Sequence, residues 1–172
     1  MILKLFAYLR GLAIDVYFSN RVNRSYVAMG AVCKSAGELI IGRISMKDGS
    51  MIKVVSGKLE VLGPLYLNRY SRIICMGNIK IGSNVLVGES VSILDHNHNF
   101  IYREQECLEF NKYVIKPVEI GSNVWIGDKV TILAGVSICS NVVIGANSVV
   151  SKSIEEPGVY GGVPSSLIRS LC

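Results

Sequence analysis

Apolar residues recur along this chain every six positions. They fall at Val55, Val61, Leu67, Ile73, Ile79, Val85 and Val91, and a second row two places out of phase holds Ile81, Val87 and Ile93. After an interruption the rhythm restarts at Ile120, Ile126, Ile132, Ile138, Ile144 and Val150, with Val124, Val130, Val136 and Val142 as its companion row. This period matches neither the repeat of about 3.6 of an amphipathic helix nor that of about 2 of a lone strand. It suits a chain that runs a short strand, turns a corner and repeats on the next face, with its aliphatics inward. Ser83-Asn84, Ser122-Asn123 and Ser140-Asn141 are predicted corners, since small residues and Asn tolerate tight turns. Gly121, Gly127 and Gly145 each follow a row isoleucine directly. Stacked rungs would lie about 4.8 Å apart, with like side chains in register. The competing architecture is a β-sandwich, whose strands recur less regularly, at about 8–12 residues. An unbroken six-residue row argues against it.

Composition narrows the picture. The 172 residues suffice for one domain with a real core. Half of them are hydrophobic but only 8% are aromatic, so that core is aliphatic. Seventeen glycines and four prolines indicate many turns. A net charge of +5 is compatible with nucleic acid, an anionic membrane face or a phosphate-rich small molecule. No dense Lys/Arg run interleaves with aromatics, which argues against nucleic acid. Cys33, Cys75, Cys107, Cys139 and Cys172 are odd in number, scattered and without a CxxC pair, so they read as buried free thiols of a reducing cytoplasm. Met1 to Phe18 is apolar but broken by Lys4, Arg10 and Asp15, too short and too charged to span a bilayer. It lacks a small-residue cleavage site. Residues 1–30 therefore read as an amphipathic helical segment that packs on the domain or touches a membrane surface, and 31–170 as the repeat domain.

The segment Val118–Leu171 reads Val-Glu-Ile-Gly-Ser-Asn-Val-Trp-Ile-Gly, then three further rungs, Ser-Lys-Ser-Ile, and finally Gly-Gly-Val-Pro-Ser-Ser-Leu-Ile-Arg. It resembles the hexapeptide-repeat acyltransferases, especially the maltose and galactoside acetyltransferases and the sugar O-acetyltransferases of capsule and exopolysaccharide clusters. The resemblance covers roughly residues 50–170. It implies a left-handed parallel β-helix, an exception to the usual right-handed crossover. It also implies a homotrimer with active sites between subunits, and acetyl-CoA as cosubstrate with no metal.

The chain's two histidines both lie in Asp95-His96-Asn97-His98, where the first row stops. The polar stretch that follows, Asn99 to Pro117, carries Arg103, Glu104, Glu106, Glu109, Lys112 and Lys116. A long excursion inside a regular coil is usually functional or disordered, and in the family a loop here, 95–117 in this chain, carries the catalytic histidine. The chemistry needs such a group. A sugar hydroxyl is a weak nucleophile, whereas the thioester is already activated. One imidazole can take the hydroxyl proton during attack and return it to the leaving thiolate. An ungapped match to the maltose-acetyltransferase pattern places the base on His98, with His96 and Asp95 as orienting neighbours. A two-residue gap would place it on His96.

The same match implies Asn68 and the adjacent Arg69 as acceptor-binding residues, with Asn68 as a mere corner residue the alternative. Trp125 matches a rung tryptophan near the cofactor or substrate channel, with packing as its alternative role. For CoA the matching positions are Asp128, Ala146, Ser151, Lys152 and Arg169. Ser166 stands where the family has an arginine, and Gly161-Gly162 precedes the Val-Pro turn.

The expected activity is acetyl transfer to a hydroxyl of a sugar or surface-polysaccharide precursor, in the cytoplasm or at the inner face of the membrane. An N-acetyltransferase acting on an amino sugar, or a serine or antibiotic acetyltransferase, would use the same base and thioester. A γ-type carbonic anhydrase would need three zinc-binding histidines, and this chain has two. A bare Asp-His-His metal site is a further alternative. A non-catalytic solenoid scaffold would need neither a histidine-bearing loop nor the CoA positions.

Overall fold

The computed structural model describes residues 26–28, 30–100 and 108–171, without the side chains of 108–110. Residues 1–25 and 29 of the expected helical segment 1–30 lie outside the described residues, as do Cys107 and Cys172, and Tyr26–Val27 within that span is a strand of the coil rather than helix. The described chain is all strand and turn, wound as a parallel β-solenoid with three faces.

Face A stacks Tyr26–Val27, Ile44–Met46, Leu65–Leu67, Val85–Val87, Val124–Ile126, Val142–Ile144 and Gly158–Gly161, and Ser166–Ser170 closes it antiparallel. Face B stacks Val32–Ser35, Met51–Val54, Arg72–Cys75, Ser92–Leu94, Thr131–Ile132 and Val149–Val150. Face C stacks Glu38–Ile41, Lys58–Val61, Asn78–Ile81, Val118–Ile120 and Ser137–Ile138. Ile154 continues face C through a single bridge to Ile138.

The axis of the coil is the core. Ile73, Ile93 and Ile132 stack in register on face B, and all three are fully buried. Every row residue from Ile120 to Val150, with its companions Val124 to Val142, is buried as its period predicts. Burying one such side chain contributes about 1.5–3 kcal/mol, so the stacked rows dominate the stability of the coil.

The first row requires one correction. Val55 is only half-buried, and its neighbour Val54 enters the core instead. The reason is the length of the early turns. Val54 pairs with Cys75 and Leu65 with Val85, at steps of 21 and 20 residues, whereas Glu119 pairs with Ser137 at a step of 18. Three hexapeptides make an eighteen-residue turn, so only the later coils keep a strict period. The earlier ones spend extra residues at their corners, and the phase of the pattern drifts.

The corners form columns of their own. Asn84, Asn123 and Asn141 all have φ near +60°, a conformation Asn reaches more readily than most residues. Asn84 Nδ2 donates to Asn123 Oδ1 at 2.9 Å, and Asn123 Nδ2 donates to Asn141 Oδ1 at 3.2 Å. Beside them the Ser122 hydroxyl accepts from Ser83 N–H, and the Ser140 hydroxyl from Ser122 N–H. These are the corners expected from sequence, at the junction of faces C and A.

The stretch 95–117, expected as a loop, contains an antiparallel hairpin. His96–Phe100 pairs with Leu108–Ile115, with a bulge between His98 and Asn99. It leaves the coil at the junction of faces B and C, and Lys116 N–H returns to Asp95 C=O at 2.8 Å. The hairpin supplies its own backbone hydrogen bonds and forms outside the core, with Phe100, Tyr113, Val114 and Ile115 all exposed.

Candidate active site

Asp95 is the last residue of its rung and is fully buried. Its carboxylate accepts from the backbone N–H groups of Met76, at 2.9 Å, and Gly77, at 2.7 Å, in the corner one coil below. A buried carboxylate needs such partners, since an unpaired one would forfeit its hydration. Cys75 Sγ donates to the same oxygen at 3.5 Å and to Lys58 C=O at 3.2 Å. Burial first, then the Asp95 charge and hydrogen bond, push the Cys75 thiol up to about 12. It is therefore a neutral structural thiol. Burial alone pushes Cys33 up to about 11. Cys75 is buried, Cys33 and Cys139 are half-buried, and none of the three is in a disulfide.

The remaining partner of Asp95 is a histidine. His96 Nδ1 lies 3.1 Å from Asp95 Oδ1. With the carboxylate accepting, that nitrogen is the donor, so in a neutral ring the lone pair lies on Nε2. Strand alternation places His98 on the same side of the hairpin as His96. Tyr113, paired opposite His98, joins them. Its ring lies 4.7 Å from the His98 ring at a 40° tilt and 5.7 Å from the His96 ring, edge-on. His96 is half-buried and His98 exposed. The three residues Asp95, His96 and His98 thus meet at one place, an imidazole pair at the root of a projecting hairpin. Tyr113 was not foreseen. Only the hairpin register brings it there, and no spacing in the sequence reveals that register.

The other expected residues sit elsewhere. Asn68 and Arg69 lie at the junction of faces A and B. Asn68 Oδ1 accepts from Arg69 N–H at 2.9 Å, so Asn68 does serve as a corner residue. Its amide nitrogen has no protein partner among the described residues, and the Arg69 side chain is exposed. Asp128 lies in the same column and braces it. Its Oδ1 accepts from Glu89 N–H at 2.8 Å, and its carbonyl accepts from Asn147 N–H, beside the exposed Ala146. Trp125 faces outward from face A at 55% exposure, too open for a core residue, in register between Leu86 and Val143. Ser151 and Lys152 are exposed just beyond face B, on the side of the hairpin, and Arg169 is exposed on the closing strand.

Two columns result. Asp95, the histidines, Ser151 and Lys152 belong to the junction of faces B and C, whereas Asn68, Arg69, Asp128 and Ala146 belong to the junction of faces A and B. From Tyr70 to Met76 the width of face B is roughly 20 Å at strand rise. Within one chain the two columns do not meet. A surface groove of about 660 Å³ runs over face C past Lys80, Glu119 and Glu155, and none of the expected site residues lines it. Among the described residues no cluster of three or more His, Cys, Asp or Glu side chains could hold a metal ion, and no helix is long and apolar enough to cross a membrane.

The pattern of bacterial transferase hexapeptides, six repeats long, matches residues 117–152. Those are the coils with an eighteen-residue turn. That stretch of the chain carries hexapeptide repeats. Two relatives from Escherichia coli K12 share this likeness. WbbJ, whose name assigns it provisionally to O-acetyl transfer in lipopolysaccharide biosynthesis, is 38% identical over 112 residues, 60% of this chain and 56% of its own. The galactoside O-acetyltransferase is 37% identical over 106 residues, 62% of this chain and 51% of its own. The chain thus spans little more than half the length of these relatives. Among solved structures, a hexapeptide-repeat acetyltransferase from Vibrio cholerae, complexed with acetyl-CoA, is 27% identical with a TM-score of 0.60. The match covers 87% of this chain and 69% of that one.

Proposed function

We propose that this hexapeptide-repeat chain is an acetyl-CoA-dependent O-acetyltransferase acting on a hydroxyl of a sugar or surface-polysaccharide precursor. The observation that carries the reading is that His96 bonds a buried carboxylate while His98, two residues on, packs on Tyr113 at the excursion from the coil. The names of the relatives, which include a galactoside O-acetyltransferase and an acetyltransferase holding acetyl-CoA, support the cosubstrate and the acceptor class. The enzyme works in the cytoplasm, with residues 31–170 as its catalytic domain and 95–117 as the catalytic excursion.

His98 is the proposed base. Exposed on the hairpin and steadied by Tyr113, it takes the acceptor hydroxyl proton as the oxygen attacks the thioester carbonyl. The C–S bond then breaks, and the imidazolium returns the proton to the leaving thiolate. Acetyl moves directly from sulfur to oxygen, and no cysteine is acylated. Lys152 and Arg169 meet the phosphates of CoA, and Asn68 and Arg69 hold the acceptor. A second reading makes His96 the base, favoured by its bond to Asp95, which fixes the tautomer that leaves Nε2 free.

Single mutants separate the two. His98→Ala is expected to lower turnover by about 10²–10⁴-fold with CoA affinity and melting temperature unchanged. His96→Ala is expected to cost less, because an orienting neighbour acts through geometry. Reversed magnitudes move the base to His96. Full acetyl transfer by the double mutant would remove general-base catalysis altogether.

A further inference from the structure

The N-terminal coils of face A carry a further groove, of about 340 Å³, which none of the expected site residues lines. Tyr26, Ser45 and Tyr66 face outward in register on consecutive rungs. The small Ser45 between two tyrosines leaves a slot about two strand spacings wide, roughly 9.6 Å between the outer backbones. Arg43, Asn84 and Leu86 complete the lining. Lys47 stands at the other end of the Ser45 strand, its Nζ 4.6 Å from the Tyr26 ring centroid and 5.3 Å from that of Tyr66. Neither Arg43 nor Lys47 is ion-paired among the described residues.

The slot adjoins the corner of Asn68. Asn68 follows the Leu65–Leu67 strand that carries Tyr66, and Lys47 N–H bonds Leu67 C=O, which places Lys47 one rung below Asn68. Aromatic faces accept the C–H face of a pyranose ring, while Ser45 and Asn84 offer hydrogen bonds to its hydroxyls. The Arg43 and Lys47 backbones lie four residues apart, about 13 Å along an extended strand, and the Lys47 ammonium itself reaches back over the two tyrosine rings.

We propose that this slot is a saccharide subsite for an anionic glycan, in which Tyr26 and Tyr66 stack on a sugar ring while Arg43 and Lys47 meet a carboxylate or phosphate. The inference rests on the acetyltransferase reading in one respect: the sugar held here is the neighbour of the unit that Asn68 presents for acetylation.

Calorimetry on the full chain tests it with four probes: a glucuronate-containing disaccharide, glucose 1-phosphate, the neutral disaccharide cellobiose, and CoA. An anionic sugar is expected to bind about tenfold or more tightly than cellobiose, as charge-assisted contacts predict. Binding of the glucuronate probe alone identifies a carboxylate as the preferred anion, and binding of glucose 1-phosphate alone identifies a phosphate. Arg43→Gln with Lys47→Gln erases the preference. Tyr66→Ala weakens every saccharide and Tyr66→Phe keeps binding, with CoA affinity and melting temperature unchanged throughout. Equal binding of charged and neutral sugars, indifference to these variants, or no saccharide binding at all overturns the proposal. If CoA binds and the sugar preference is absent, the subsite alone falls. If the sugar preference holds and CoA does not bind, the acetyltransferase reading falls and a glycan-binding groove remains.

Discussion

At the scale of single residues, Asp95 ties together backbone, thiol and imidazole at one corner. Its carboxylate binds one corner to the coil above it, holds His96, and raises Cys75. The thiol carries a consequence for stability. A raised thiol stays protonated in the folded chain while the unfolded chain ionises near its ordinary value of 9.0. The unfolded state then binds fewer protons, so stability is full below about pH 9 and falls as pH rises toward about 12. Urea melts from pH 8 to pH 10.5 are expected to show this decline, and Cys75→Ala to reduce its slope. A slope indifferent to Cys75→Ala would mean that the thiol does not titrate this way. In the folded protein at pH 8, iodoacetamide should leave the Cys75 peptide unmodified, and urea should expose it. The histidines and their carboxylate were legible from sequence as a cluster at a break in a repeat. The burial of Asp95 was not, because its backbone donors come from a corner some 18 residues earlier.

At the scale of elements, each coil is held by what its corners allow. Asn123 sits at φ +56°, accepts from Asn84 and donates to Asn141. Asn123→Ala would lose both bonds and leave at a left-handed φ a residue that tolerates it less well than Asn, at a cost of about 1–2 kcal/mol. Asn123→Gly would lose the bonds but keep the conformation, and should cost less. Gly127 is constrained differently, since a Cβ there would lie 2.7 Å from Ala146 N and 2.8 Å from Ile144 O. These are backbone atoms that cannot swing away, so Gly127→Ala is expected to exceed Asn123→Ala in cost. Chemical denaturation of the three variants checks the order, and Gly127→Ala as the mildest would contradict it. The rhythm behind these coils is plain in the sequence from Ile120 onward, where every turn but the last spans eighteen residues. Around Val55 it misleads, because longer turns shift the phase. The hairpin was legible only as an interruption. Its residues lack alternating apolarity, and their pairing is set by backbone hydrogen bonds that a polar sequence does not advertise.

At the scale of the whole molecule, the expected site residues divide between two junctions separated by the width of face B. One chain therefore offers the histidines on one side and Asn68 with Asp128 on the other. Closed cyclic assembly resolves this, since each copy can set its hairpin junction against the Asn68 junction of the next. A homotrimer with three such sites is the proposed arrangement, and it makes a prediction that no single-chain site can meet. His98→Ala and Asn68→Ala should each be nearly inactive alone. In a mixed trimer, an interface is intact when the copy giving the hairpin carries Asn68→Ala and the copy giving the corner carries His98→Ala. Each then lends its undamaged half. With random assortment from equal co-expression, about a quarter of interfaces meet this condition, so activity should return to about a quarter of wild type. Mixing the separately purified trimers without exchange should restore nothing. Were the site built within one chain, co-expression would recover no more activity than the sum of the two mutants. Light scattering on the same samples fixes the copy number, and a fully active monomer would end the idea.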